Sequence, residues 1–421
     1  MAEVHTAHPS ELDRLRRRTV ATLVAGVALG STGHIAAVTV ATIVATHIAG
    51  GTTAWSGAPG ATVVLGAAAG AVALSWVMVR RGRRFGLAAG YAVSVIGAIL
   101  ATIAIVVSSL LLLLVGTVLI GFGNASNQLS RYTAADLVTP DRRASAIGLV
   151  VWGATVGAVV GPNLVAPAGS IARAIGLPEL AGPYLVPIVF VGAAALLSAV
   201  LLRPDPYALA DPSSRHDGEG AGTASTAVSV ASVLARPNVP VAVAALVAGQ
   251  FVMVLIMTMT PLHMFGHGHD LTEVGIVISG HTFGMYGLSP ISGRLTDRYG
   301  SVAVILAGLA TVAFASGLAA AAPADGGSLL FIALFLLGYG WNLGYVAGSA
   351  LLTTGLSLAE RTKVQGLTDG LIWSSAAVAS LGSGVVLAYA GYAILGLLGV
   401  ALVVVPMLLV IARRSAVAGV G

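Results

Sequence analysis

The sequence predicts an all-α polytopic membrane protein, with twelve transmembrane helices in two pseudo-symmetric six-helix halves. Three observations carry that expectation. Of the 421 residues, 57% are hydrophobic and 9% charged, a balance foreign to soluble domains. The apolar residues fall into runs long enough to cross about 30 Å of hydrocarbon at about 1.5 Å per residue. A single long hydrophilic stretch, residues 203–237, divides those runs six and six.

Residues 1–19 are polar, end in Arg14, Arg16, Arg17 and Arg18, and read as a tail before a first run of full helix length. That length argues against a cleavable signal. The predicted spans of the N-terminal half, 20–202, are 20–46, 58–79, 85–107, 110–136, 144–168 and 184–202. The linker 203–237 carries RPDP, DPSSRHDGEGAGTAST and RPNV, a composition that favours a flexible chain. The C-terminal half, 238–412, holds spans 238–264, 271–292, 302–321, 328–353, 364–389 and 392–412, and 413–421 form a second tail.

Basic residues orient the spans. The 21 Lys and Arg lie almost wholly at 14–18, 80–84, 142–143, 203–236, 294–298, 361–363 and 413–414, with Arg173 on the other side and Arg131 inside a span. The positive-inside rule places both termini in the cytoplasm and the chain in the cytoplasmic membrane. The net charge of +5 then reflects topology, and no nucleic-acid partner is expected. The absence of cysteine excludes disulfides, thiolate zinc sites and iron–sulfur clusters. No GxxxxGK[ST], HExxH or triad spacing occurs in a polar region, so the chain does not read as an enzyme.

The halves echo each other. GFGNASNQ (121–128) in the fourth span matches GYGWNLGY (338–345) in the tenth, and Asp141-Arg142 and Glu360-Arg361 follow at similar distances. Internal repeats of this kind mark secondary transporters, whose substrate site lies between the halves.

Met253 and Met257 in the seventh span, and His281 and Met285 in the eighth, form two i, i+4 pairs, each on one helix face. Two antiparallel helices turning near His269 would set them as two rungs, Met257 level with His281 and Met253 level with Met285. Pro261 is expected to kink the seventh span. Thioethers with imidazole favour Cu(I) over harder ions. Five of the eight methionines and four of the nine histidines lie between 253 and 285. Copper is therefore expected as transported substrate, with no tightly bound cofactor. Met259, His263, Met264, His267 and His269, beside Asp270, read as a capture site at the cavity mouth or as a solvated loop. Asp369, Arg131 and His34 are candidate coupling or gating groups, and Asp369 reads equally as a structural partner of another charge. Arg131 reads as snorkelling or paired with a carboxylate. His34, with Asn124, Asn127, Gln128, Gln250 and Asn342, would shape a polar path. Gly157, Gly161 and Pro162 allow close helix packing.

The loop GRLTDRYG (293–300) resembles the G-x-L-x-D-R-x-G motif of the major facilitator superfamily. The resemblance implies that Gly293, Asp297, Arg298 and Gly300 form a cytoplasmic latch between halves. The equivalent loop SWVMVRRGRR (75–84) has Val79 at the acidic position, so an intact latch is expected only in the C-terminal half. MxxxM and HxxxM on consecutive spans resemble the CcoA-like copper importers. That likeness implies inward copper transport through Met253, Met257, His281 and Met285, with a downstream copper chaperone or the cytochrome oxidase assembly pathway as partner. The alternative is a proton-coupled exporter of small organic molecules, of the drug:proton antiporter type, using Asp369 and the span-5 glycines. A membrane metal sensor that moves nothing is a further alternative.

Overall fold

The computed structural model describes residues 9–50, 55, 57–210, 233–234, 236–269, 271–323 and 327–418. Most of the predicted linker, and Asp270 of the predicted mouth, lie outside the described residues. Helices make up nearly all of what is described, and no strand occurs there. Lipid offers no hydrogen bonds, so a spanning backbone must satisfy its own polar groups. That requirement accounts for the architecture.

The N-terminal half comprises α1 (Pro9–Ile48), α2 (Ala58–Arg81), α3 (Arg83–Val106), α4 (Leu110–Ala135), α5 (Arg143–Asn163), α6 (Val165–Ala174) and α7 (Gly182–Leu201). A short α8 (Pro206–Ala210) follows. The C-terminal half comprises α9 (Asn238–Met257), α10 (Thr260–Gly266), α11 (Leu271–Tyr286), α12 (Ser289–Tyr299), α13 (Ser301–Ala321), α14 (Gly327–Leu352), α15 (Leu358–Ala390) and α16 (Tyr392–Ala418).

Local chemistry sets several ends. The Ser109 hydroxyl caps α4 by accepting from the Leu112 N–H. Ser357 and Glu360 form a reciprocal capping box at α15, which satisfies two otherwise orphaned N–H groups. Gly82 and Gly300 both take positive φ, 88° and 83°, at the tight turns before α3 and α13.

Eleven helices are long and apolar enough to cross a membrane. The remaining crossing, predicted as 271–292, is divided at Gly287-Leu288 into α11 and α12. The fifth span bends at Leu164, after Pro162, and the seventh breaks at Thr258-Met259, just before Pro261. The tails are helical further than composition implied. α1 starts at Pro9, inside the predicted tail 1–19, and α16 runs on to Ala418. The first residues of the predicted linker are also ordered, with Pro206 and Leu209 buried.

Each half is a bundle, and the two meet through equivalent elements. α2 packs on α15, and α5 packs on α12 and α11. Those are the same pairings under exchange of halves, as an internal repeat requires. Large apolar side chains such as Leu111, Leu196, Phe314, Leu381 and Val405 are exposed on the outer faces. A surface of that kind suits acyl chains, not water.

Candidate functional site

Between the halves lies a cavity of about 800 Å³. α1, α4 and α5 line it on one side, and α9, α11, α14 and α15 on the other. Its lining residues farthest from the arginine-rich end, Val38, Thr39, Pro162 and Asn163, are exposed, whereas Arg131 and Tyr345 at its floor are buried. The cavity thus opens away from the basic end.

Met253, Met257, His281 and Met285 all line this cavity. The rung geometry does not hold. α9 and α11 do not lie side by side; both lean on α14. The break at Thr258-Met259, α10 and the following turn separate the two helices, so equal distance from the turn does not place these side chains opposite each other. His281 is 1% exposed, and its Nδ1 lies 2.7 Å from the Leu334 carbonyl. A carbonyl only accepts, so Nδ1 carries a hydrogen, and the neutral tautomer with that hydrogen presents Nε2 as a lone pair. That Nε2 is buried without a partner.

The predicted mouth residues divide. Met264 is fully buried in the core and leaves the candidate capture set, because α10 turns it inward. His263 stacks on Tyr392 at 4.2 Å and lies 4.4 Å from the His267 ring. His267 Nδ1 meets the His263 carbonyl, and His269 Nδ1 meets Glu273 at 2.9 Å. Met259 is half-buried at the helix break. Among the described residues, no three His, Asp or Glu side chains converge on a point that could hold a metal ion.

The cavity walls hold other groups. Tyr286, Phe283, Tyr345 and Trp373 supply aromatic surface, and Asn124, Asn127, Gln128 and Gln250 supply amides. Tyr91 donates to Asn127 Oδ1 at 2.9 Å, and Trp341 donates to Gln250 Oε1 at 2.8 Å. Both amides are therefore fixed in orientation. The Gln250 N–H donors and the whole Asn124 amide have no protein partner among the described residues. His34 Nδ1 and Thr155 Oγ1 are buried in the wall, also unpartnered. Asn342 lies elsewhere. It donates to the Met285 carbonyl and Ser289 Oγ, both at 2.6 Å, and fastens the broken eighth span to α14.

The basic end is closed by bonds between halves. Arg131 and Asp369, which sequence reasoning treated separately, form an ion pair at 2.6 Å with both side chains 1% exposed. Tyr345 donates to Gln128 Oε1, and Arg131 Nε donates to Ser349 at 3.1 Å. Asp297 accepts from the Ala144 and Ser145 N–H groups at 3.0 and 2.9 Å, so this residue of the C-terminal half caps α5 of the other. Gly293 allows that approach, since a Cβ there would stand 2.6 Å from the Ala144 carbonyl oxygen. Arg298 lies over the Tyr299 ring. The other half of the repeat has no such cross-cap: Val79 offers no acceptor, and α15 is capped by its own Ser357.

Several participants escaped the sequence reading. Arg83, in a run that looked like loop charge, is fully buried and donates to Asp136 at 2.6 Å and across the halves to Gln365 at 2.8 Å. Asp205, assigned to the linker, caps α3 through the Arg83 and Arg84 N–H groups at 3.2 and 3.1 Å. Burial pushes its carboxyl above the ordinary value, against the pull of backbone donors. The available signal was an acidic residue just beyond a span end, opposite a helix start that lacked a capping side chain of its own.

The model described as Major Facilitator Superfamily matches residues 20–272. The chain is 36% identical over 398 residues to the uncharacterized MFS-type transporter YdeG of Bacillus subtilis (strain 168), covering 94% of this chain and 91% of that protein. It is 31% identical over 363 residues to the riboflavin transporter RfnT of Brucella anthropi, covering 84% and 86% respectively. Its fold is similar to a crystal structure of a bacterial homologue of the iron transporter ferroportin, in the outward-facing state with soaked iron. There the TM-score is 0.74 at 14% identity, over 94% of this chain and 99% of that one. The chain is a multi-pass membrane secondary transporter, not an enzyme, and it belongs to the Major Facilitator Superfamily.

Proposed function

We propose that the chain carries a neutral, planar organic solute of the flavin class by alternating access. The observation behind this reading is the cavity. At about 800 Å³ it lies within the range of about 300–1,000 Å³ typical of small-molecule sites. Aromatic side chains line it together with unpaired amide donors, the arrangement that stacks a ring and reads its polar edge. Arg131 is the charged side chain of the lining, and Asp369 balances it, so the site favours a solute without net charge. The likeness to a protein named as a riboflavin transporter supports the same class.

A second reading, copper carriage of the kind expected from the CcoA-like pattern, is favoured by one specific observation. His281 presents a bare Nε2 while its Nδ1 faces a carbonyl, the second-shell arrangement that metal-binding histidines use. Met253, Met257 and Met285 line the same cavity. Under either reading the Lys and Arg bias supports cytoplasmic termini.

Uptake of labelled riboflavin, and of copper under reducing conditions, into proteoliposomes separates the readings. Trp373→Ala is expected to weaken saturable riboflavin uptake about tenfold, the scale of one lost ring stack. Met257→Leu combined with His281→Leu would abolish copper uptake under the second reading. Riboflavin flux no greater than in protein-free liposomes rejects the first.

A further inference from the structure

A second pocket lies at the basic end, between the end of α4 and the starts of α5 and α15. Its volume is about 350 Å³, and Arg16, Asp136, Thr139, Arg143, Ser357 and Arg361 supply its polar lining. Three of those six are arginines, drawn from α1, α5 and α15. Asp136 is the acid of the lining, and its Oδ2 is already taken by Arg83 at 2.6 Å. The wall therefore holds more positive charge than its own carboxylate balances.

Other arginines at this end are better served. Arg84 Nε donates to the Ala199 carbonyl at 2.8 Å, and Arg236 to the Gly355 carbonyl at 2.9 Å. Arg17, Arg18 and Arg142 are exposed to water. In the pocket, by contrast, the Nε atoms of Arg16, Arg143 and Arg361 are all buried without a partner. Among the described residues Arg16 has no acceptor for any of its donors. Arg143 reaches the Thr353 carbonyl only at 3.5 Å. Arg361 Nη1 stands 3.7 Å from Asp136 Oδ1, too far for a hydrogen bond. Arg143 and Arg361 also lie close enough to repel each other. Buried donors without acceptors are costly, and gathering like charges adds to that cost. Ser357 lends a further donor, since its hydroxyl oxygen accepts from the Glu360 N–H and its own hydrogen is uncommitted among the described residues.

We propose that this pocket binds a phosphate group, held by Arg16 and Arg143 of the N-terminal half and by Arg361 of the C-terminal half. Phosphate oxygens match the planar donor fork of a guanidinium, and the anion removes the repulsion among the arginines. The first turns of α5 and α15 border the pocket, and their dipoles favour negative charge there. The Asp136 carboxylate opposes an anion, but an arginine stands at each of its oxygens, Arg83 at Oδ2 and Arg361 at Oδ1. Because the donors come from both halves, the site is complete only while the basic end is closed. Bound phosphate therefore stabilises that state by mass action. Inorganic phosphate and a phospholipid headgroup both present this chemistry.

The test needs no transported substrate, so its outcome is independent of the flavin and copper readings. The full-length chain in maltoside, at fixed chloride, is dialysed to equilibrium against radiolabelled inorganic phosphate. A parallel arm titrates the same protein with radiolabelled phosphatidylglycerol. Saturable binding of one phosphate group per chain is expected. Arg16→Gln and Arg143→Gln should each weaken it at least about tenfold, the scale of a lost hydrogen bond to a charged group. Arg142→Gln, at an exposed position, should leave it unchanged. Arginine-dependent binding of inorganic phosphate assigns the site to the free ion, and arginine-dependent binding of the lipid alone assigns it to a headgroup. Binding of neither overturns the proposal, as does binding that both Arg16→Gln and Arg143→Gln retain at parental strength. The chain has no cysteine of its own, so Thr353→Cys reports on the closed end. Its alkylation should slow when the bound ligand is present, and an unchanged rate overturns the bridging of the halves.

Discussion

Burial sets the terms for single residues in this chain. Arg131 and Asp369 are each 1% exposed, so neither ion has water as an alternative partner. Desolvating such a pair costs several kcal/mol per ion and is offset only by complete pairing. Arg131→Gln would leave Asp369 a buried charge with one long hydrogen bond from Tyr132. A loss of about 3–5 kcal/mol is expected, read as a lower unfolding midpoint in detergent. The double replacement Arg131→Met with Asp369→Leu should restore most of it. Stability unchanged in the single variant would mean that water reaches the pair. The same logic explains Met264 and His281. One is packed in the core with nothing polar to offer, and the other is buried with an unused nitrogen. Residue type alone could not separate them.

At the scale of elements, broken helices and shared caps carry the information. The fifth, seventh and eighth spans are all interrupted, and each interruption frees backbone groups that a neighbour must satisfy. Asn342 does so for the eighth span through the Met285 carbonyl. The α5 N-terminus is satisfied from the other half by Asp297, an interaction of a carboxylate with a helix start. Asp297→Ala is expected to remove about 1–2 kcal/mol from the state closed at the basic end. The population of the parted state would rise by a factor of about 5–30. A single cysteine replacing buried Thr353, in an otherwise cysteine-free chain, should then be alkylated faster. An unchanged rate would mean that the cap does not hold the halves together. Val79→Asp in the other loop has no free helix start to cap, because Ser357 already serves α15.

At the scale of the whole molecule, the cavity exists only because two bundles meet with unlike contents. Amides of both halves and aromatic residues mostly of the C-terminal half surround a volume in which Arg131 and Asp369 cancel. That neutrality has a consequence for substrate choice. If a flavin is carried, its phosphorylated form brings charge into a site with no unpaired cation, and burying an unpaired charge is costly. Riboflavin mononucleotide should compete for labelled riboflavin at least about tenfold more weakly than riboflavin, a difference of about 1.4 kcal/mol. Equal competition would place a free positive charge in the cavity and contradict the pairing.

The sequence by itself determined the class, the number of crossings and the division into halves. Each of these is written in local hydropathy and in the order of segments along the chain, and α2, α3, α4 and α7 follow the predicted spans closely. The turn GRLTDRYG was also legible, because a turn and its neighbouring acid are adjacent in sequence. Only the tertiary structure decided which groups meet. Arg131 finds Asp369 238 residues away, Arg83 finds Gln365 282 residues away, and the α5 N-terminus finds Asp297 153 residues away. The rung model for Met253, Met257, His281 and Met285 failed for the same reason. It assumed that successive helices are spatial neighbours, whereas bundle packing sets both against α14. Hydropathy reports how deep a side chain lies in the bilayer. Its partner across the helix axis is chosen by packing, which no local pattern encodes.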